Sequence, residues 1–169
     1  MRTALANLQK INVKVIELAQ SAKYYTGRFI PKISENFSSK VMIIGEMPTV
    51  PKQESEWDPS DNFFLSKTDL KFNKLLNKLG LSGSYITDIV KTGDKARRPT
   101  VEEIEKFKAI LLDEIEIIKP EIILSLSKNA SNILNEMRVK NTCIWHPAYV
   151  ERFNRWAEYE NQLKKALGR

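Results

Sequence analysis

Apolar positions along the chain switch between two repeats. Over residues 3–22, "TALANLQKINVKVIELAQSA", Leu8, Ile11, Val15 and Leu18 return at three- and four-residue steps, as on a helix with one apolar face. Pro31 interrupts the chain beyond that helix. "KVMIIGEMP" (40–48) is a short apolar run that closes on Gly45, which suits a strand buried on both sides of a parallel sheet. Residues 49–66, with proline and mixed charge, read as a loop. "DLKFNKLLNKLG" (69–80) has an acid near its start and glycine at its end, and predicts a helix. "SYITDIV" (84–90) predicts a strand and "KTGDKARRPT" (91–100) a polar loop. Thr100 opens "TVEE", a capping box with Glu103, and the helix it starts runs to about Lys119, before Pro120. "EIILSLS" (121–127) predicts a third strand, "KNASNILNEM" (128–137) a short helix, "NTCIW" (141–145) a fourth strand and "AEYENQLKKAL" (157–167) a closing helix.

Strands alternating with helices predict an α/β protein of three layers, α/β/α, around a central, mostly parallel four-stranded sheet. With 169 residues, no linker composition and no internal repeat, the expectation is one domain. It divides into a helical segment (1–39), a motif-bearing core (40–150) and a C-terminal helix (151–169). Ligands of such sheets bind outside the carboxyl ends of the strands. Three segments fall there: "GEMPT", "TDIVKTGDKARRP" and "HPAYV".

Composition narrows the partner. Apolar residues make up 42% and charged residues 28%, as in ordinary globular proteins. No apolar run approaches the roughly 18 residues that span a bilayer, and "MRTALANLQKINVK" has no secretory apolar region. The expectation is a cytoplasmic protein, or a nuclear one in a nucleated cell, without membrane association. A single cysteine, Cys143, excludes an internal disulfide framework and a four-cysteine metal or iron–sulfur site within the chain. Its expected place is a buried strand position. Lys and Arg number 27 against 21 Asp and Glu, so 27 − 21 = +6, which favours a polyanion, nucleic acid first. "KTGDKARR" concentrates Lys91, Lys95, Arg97 and Arg98 against Asp94, a local 4 − 1 = +3. Phosphate contact is the functional reading of that loop; a solvated basic loop is the bland one.

Chemistry points to the chain's one histidine, His146, between the fourth strand and Pro147. Alone, such a residue satisfies loop backbone as readily as it does chemistry. The order of segments adds more: "GEMP" after a strand, then "FFLS", "YITDIVKT", "RRPTVEEI", "IKPEIILSLSKNA", and a strand into "HPAY". This order resembles the uracil-DNA glycosylase superfamily, and is most like the branch whose first motif reads Gly-Glu-Ala-Pro-Gly. The resemblance covers roughly residues 40–150. It implies the α/β fold already derived and hydrolysis of the bond between a damaged base and deoxyribose, on a nucleotide flipped out of DNA. It also implies roles. His146 donates to a carbonyl of the departing base. Glu46, with Gly45 and Met47, lies beside the base and the attacking water. Phe64 stacks on the base, with Phe63 as its competitor, and Asp88 reads the base edge. Arg97 matches an arginine of the family; Lys91, Lys95, Arg98 and Arg152, with Arg155, are expected phosphate contacts from their charge. Pro147 holds the turn, and Tyr149 and Val150 fill the space of the flipped base.

The departures from that pattern are informative. Thr49 stands where the family closes its first motif with glycine, and the acidic pair usual after it is missing, although Glu54, Glu56 and Asp58 lie at shifted positions. Asp88 stands where the family has asparagine. An amide both donates and accepts, whereas an ionised carboxylate only accepts; burial raises a carboxyl pKa and restores a donor. The cysteines of the branch's cluster are absent, so no cofactor and no metal are expected. The expected protein is a monomer that releases a base without cutting the strand. A DNA-binding module of the same fold without catalysis is the first alternative. A small flavodoxin-like nucleotide-binding protein is the second, though no glycine-rich phosphate loop comes after the first strand.

Overall fold

A computed structural model describes residues 2–19, 40–48, 66–93 and 97–169. In chain order the elements are α1 (Arg2–Ala19), β1 (Val41–Gly45), α2 (Lys67–Lys78), β2 (Tyr85–Asp88), α3 (Val101–Ile118), β3 (Ile122–Leu126), α4 (Lys128–Glu136), β4 (Thr142–Ile144), α5 (Pro147–Arg152) and α6 (Trp156–Ala166). The four strands form one sheet in the order β2-β1-β3-β4, and every pair is parallel.

The wholly apolar run of β1 still alternates sides, because successive strand residues point to opposite faces. Met42 and Ile44 join one apolar layer with Leu8, Ile11 and Val15 of α1, Phe107, Ile110 and Leu111 of α3, and Ile133 and Leu134 of α4. Val41 and Ile43 join the other, with Phe72, Leu75 and Leu76 of α2, Val150 of α5, and Tyr159 and Leu163 of α6. Helices therefore cover both faces, as the alternating sequence predicts.

Boundaries obey local chemistry. Thr100 caps α3 in the expected box: its side chain accepts from the Glu103 N–H at 3.2 Å, and the Glu103 carboxylate accepts from the Thr100 N–H at 2.8 Å. α3 ends at Lys119 in the left-handed conformation (φ 49°), one residue before Pro120. α5 has no counterpart in the hydrophobic pattern. Six residues are too few for a 3.6-residue repeat to register, and it forms because His146 caps it and Pro147 fills its first position. Cys143 departs from expectation: it is exposed. β4 is an edge strand, so one of its sides lacks cover.

Candidate active site

β1 has β2 on one side and β3 on the other, so the chain reverses its direction of travel across the sheet at β1. Such a reversal opens a crevice at the carboxyl ends of the strands. Glu46 comes directly after β1, Asp88 ends β2, Ser127 comes after β3 and His146 lies just beyond β4.

The β1 and β2 ends are tied together. The Ile89 N–H donates to the Gly45 carbonyl and the Val90 N–H to the Glu46 carbonyl, both at 3.0 Å. Gly45 is register partner to Asp88. A Cβ built on Gly45 would overlap Asp88 Oδ1, so glycine here is a requirement of close approach. Gly45→Ala is expected to push the Asp88 carboxyl off its position and raise KM for the substrate by about tenfold. The fold should persist, as checked by circular dichroism beside the kinetics.

Asp88 is 5% exposed. Its pKa is raised to about 7: burial is the main cause, Lys91 opposes it, and Glu114 and Glu46 add to it. Behind it lies a buried polar cluster. Lys91 Nζ donates to Glu114 Oε2 at 2.7 Å, and to Thr87 Oγ1 and the Asp88 carbonyl, both at 2.5 Å. The Thr87 hydroxyl donates to the same Glu114 oxygen at 3.2 Å, and burial, with the Glu114 charge adding to it, pushes the Tyr85 hydroxyl well above the ordinary tyrosine range. The expected phosphate contact of Lys91 is therefore corrected. The side chain is 1% exposed and its ammonium neutralises Glu114 inside the protein.

Glu46 is half-buried, and its carboxylate is held at both oxygens. Ser127 Oγ donates to Oε1 at 2.5 Å and Asn129 Nδ2 to Oε2 at 2.7 Å. A carboxylate offers about four acceptor sites, so positions remain for a water. Neither Ser127 nor Asn129 was expected at the site. The signal lay in "SLSKNA", a serine poised to cap a helix at the end of a central strand.

His146 Nδ1 accepts from the Ala148 N–H at 3.1 Å. A ring nitrogen that accepts carries no proton, so in the neutral ring the proton sits on Nε2 and is available to a ligand. Much of the residue's surface is exposed, yet crowding by protein lowers its pKa from the ordinary histidine value, against the opposing charges of Glu46 and Asp69. Glu46, Asp88 and His146 thus stand at, or just beyond, the carboxyl ends of three strands of the sheet.

The remaining expected residues divide. Met47 is half-buried and packs against the layer of α1, α3 and α4. Pro147 is buried at the start of α5. Val150 is 0% exposed inside the second apolar layer, which corrects its expected role as a groove-filling side chain. Tyr149 is exposed, its ring 4.7 Å from that of Phe153 and 5.6 Å from that of Trp145. The Arg152 guanidinium lies 5.5 Å from the Phe153 ring and that of Arg155 5.4 Å from Trp145. Arg98 is exposed. Arg97 pairs with both Glu103 oxygens, at 2.8 and 2.6 Å, and holds that carboxyl down to about 2. Phe63, Phe64, Lys95, Thr49, Glu54, Glu56 and Asp58 lie outside the described residues. Among the described residues no three His, Cys, Asp or Glu side chains cluster as metal ligands do.

A buried carboxyl, a carboxylate held at both oxygens and an imidazole thus stand at the carboxyl ends of the parallel strands. Residues 31–167 match the model of the uracil DNA glycosylase superfamily, and the chain belongs to that superfamily. A type-4 uracil-DNA glycosylase of Archaeoglobus fulgidus is 25% identical over 164 residues, covering 81% of this chain and 79% of that protein.

Proposed function

We propose that the protein releases uracil, or a closely related deaminated base, from DNA by hydrolysis, leaving an abasic site and an uncut strand. In that reaction the bond from C1′ to the base nitrogen breaks with its electron pair going to the base. A water oxygen then bonds to C1′ and loses a proton. Glu46 orients that water, and its negative charge faces the positive charge that develops on the sugar. The His146 Nε2–H donates to the oxygen on which the leaving base gathers charge. The observation that carries the reading is the Glu46 carboxylate at the end of β1, held at both oxygens by Ser127 and Asn129.

Asp88 decides the base. A protonated carboxyl offers one donor beside one acceptor, the same pair as an amide, and so matches uracil O4 and N3–H. An ionised one opposes the O4 lone pairs. With a midpoint of about 7, the matching form prevails below that pH and is lost above it. Uracil release should therefore fall roughly tenfold per unit as pH rises beyond the midpoint, and Asp88→Asn should flatten that fall and gain on uracil at pH 8. The measurement is single-turnover release from duplexes carrying uracil, hypoxanthine, xanthine or a mismatch, between pH 6 and 9. Release of another base with none of uracil would reassign the substrate. Tight binding without release of any base would make the protein a DNA-binding module.

Arg98, exposed in the loop before α3, and Tyr149 and Arg152, exposed on α5, supply the reading of a DNA-contacting rim. Lys91, turned to Glu114, is unsuited to attack the sugar, which supports release without strand cleavage. We place the enzyme, acting as a monomer, where the genome lies: the cytoplasm, or the nucleus in a nucleated cell.

A further inference from the structure

Glu46 can orient water only if its carboxylate cannot turn. Its two oxygens are held by two residues of one short segment, Ser127 and Asn129, at the start of α4. The Ser127 hydroxyl has a fixed direction. Its oxygen accepts from the Ala130 N–H at 3.0 Å, so its one proton is committed to Glu46 Oε1.

The backbone of Ser127 adds an independent observation. Its φ is 150° and ψ 163°, a region that glycine occupies readily and other residues do not. Glycine is also an acceptable helix cap. A serine therefore sits in a conformation better suited to glycine, and the group gained is the hydroxyl on Glu46. Asn129 has a parallel logic. An amide donates to a carboxylate, whereas an aspartate of the same shape would repel it.

We propose that Ser127 and Asn129 are positioning residues for base release: they fix the Glu46 carboxylate for the attacking water, and Ser127 carries backbone strain to do so. The inference rests on the role given to Glu46 above. It goes further by assigning function to the β3–α4 junction. The other charged or titratable groups acting with Glu46 at the strand ends are Asp88 from β2 and His146 beyond β4.

The test compares Glu46→Gln, Ser127→Gly and Asn129→Asp in the full chain, by single-turnover uracil release across pH and by urea unfolding. Ser127→Gly should unfold at the same or a higher urea concentration while kcat falls roughly 10- to 100-fold and KM stays within about threefold of the parent. This split separates positioning from support of the fold. Asn129→Asp replaces the amide donor by a second carboxylate against Glu46, and should lower kcat roughly tenfold with KM again within about threefold of the parent. If Glu46→Gln abolishes release while Ser127→Gly and Asn129→Asp both keep kcat within about twofold, the positioning role is overturned and that of Glu46 survives. If Glu46→Gln itself keeps full activity, the water-orienting role of Glu46 fails first. Loss of stability in Ser127→Gly in step with kcat would also overturn the proposal, because the serine would then serve the fold.

Discussion

His146→Ala is expected to slow single-turnover base release by roughly 10²- to 10³-fold, with affinity for abasic DNA held within about threefold. The leaving base gathers negative charge only as its bond to the sugar breaks. A donor aimed at that charge acts on the transition state more than on bound DNA, so kcat carries the loss. Nε2 has the proton because Nδ1 is occupied as an acceptor of the Ala148 N–H. Crowding keeps the ring neutral to lower pH than an ordinary histidine, so the donor is an N–H rather than an imidazolium across the neutral range. His146→Ala also removes the cap of α5, which costs on the order of 1 kcal/mol. His146→Asn separates the two effects, since its amide oxygen can cap while the imidazole N–H is gone. Release by His146→Asn at the parent rate would remove the residue from the chemistry.

Glu114→Ala is expected to destabilise the protein by about 3–5 kcal/mol, read as the shift in urea unfolding free energy. The loss would come from an uncompensated ammonium, because Lys91 is 1% exposed and Glu114 3% exposed at the pair. Thr87 would lose its acceptor as well. The double variant Lys91→Met/Glu114→Leu should recover most of the stability, since an apolar pair of similar volume replaces two buried charges that cost desolvation. A single Glu114→Ala variant as stable as the parent would show that the pair is not buried in solution. The same cluster underlies Asp88: Lys91 favours its ionised form and Glu114 its protonated form. On the role proposed for Asp88, base preference and fold stability share one set of residues.

Periodicity determined the strands and every helix but α5, because an element that buries one side must repeat its apolar residues at its own step. Alternation of the two kinds determined the parallel sheet and its coverage on both faces. The order of short motifs pointed to His146, Glu46 and Asp88, since groups at strand ends share one edge of such a sheet whatever the intervening loops do. Tertiary structure alone decided the partners. Ser127 and Asn129 reach Glu46 across 81 and 83 residues of chain, a contact made by β3 pairing beside β1. Lys91 reads as a solvated loop cation until α3 sets Glu114 over it. Val150 and Tyr149 are neighbours in sequence, yet α5 buries one and exposes the other. Cys143 lies in the expected strand, but strand order made that strand an edge. Local pattern specifies what each segment becomes; which charges meet depends on how those segments pack, and no short stretch of sequence contains that distance.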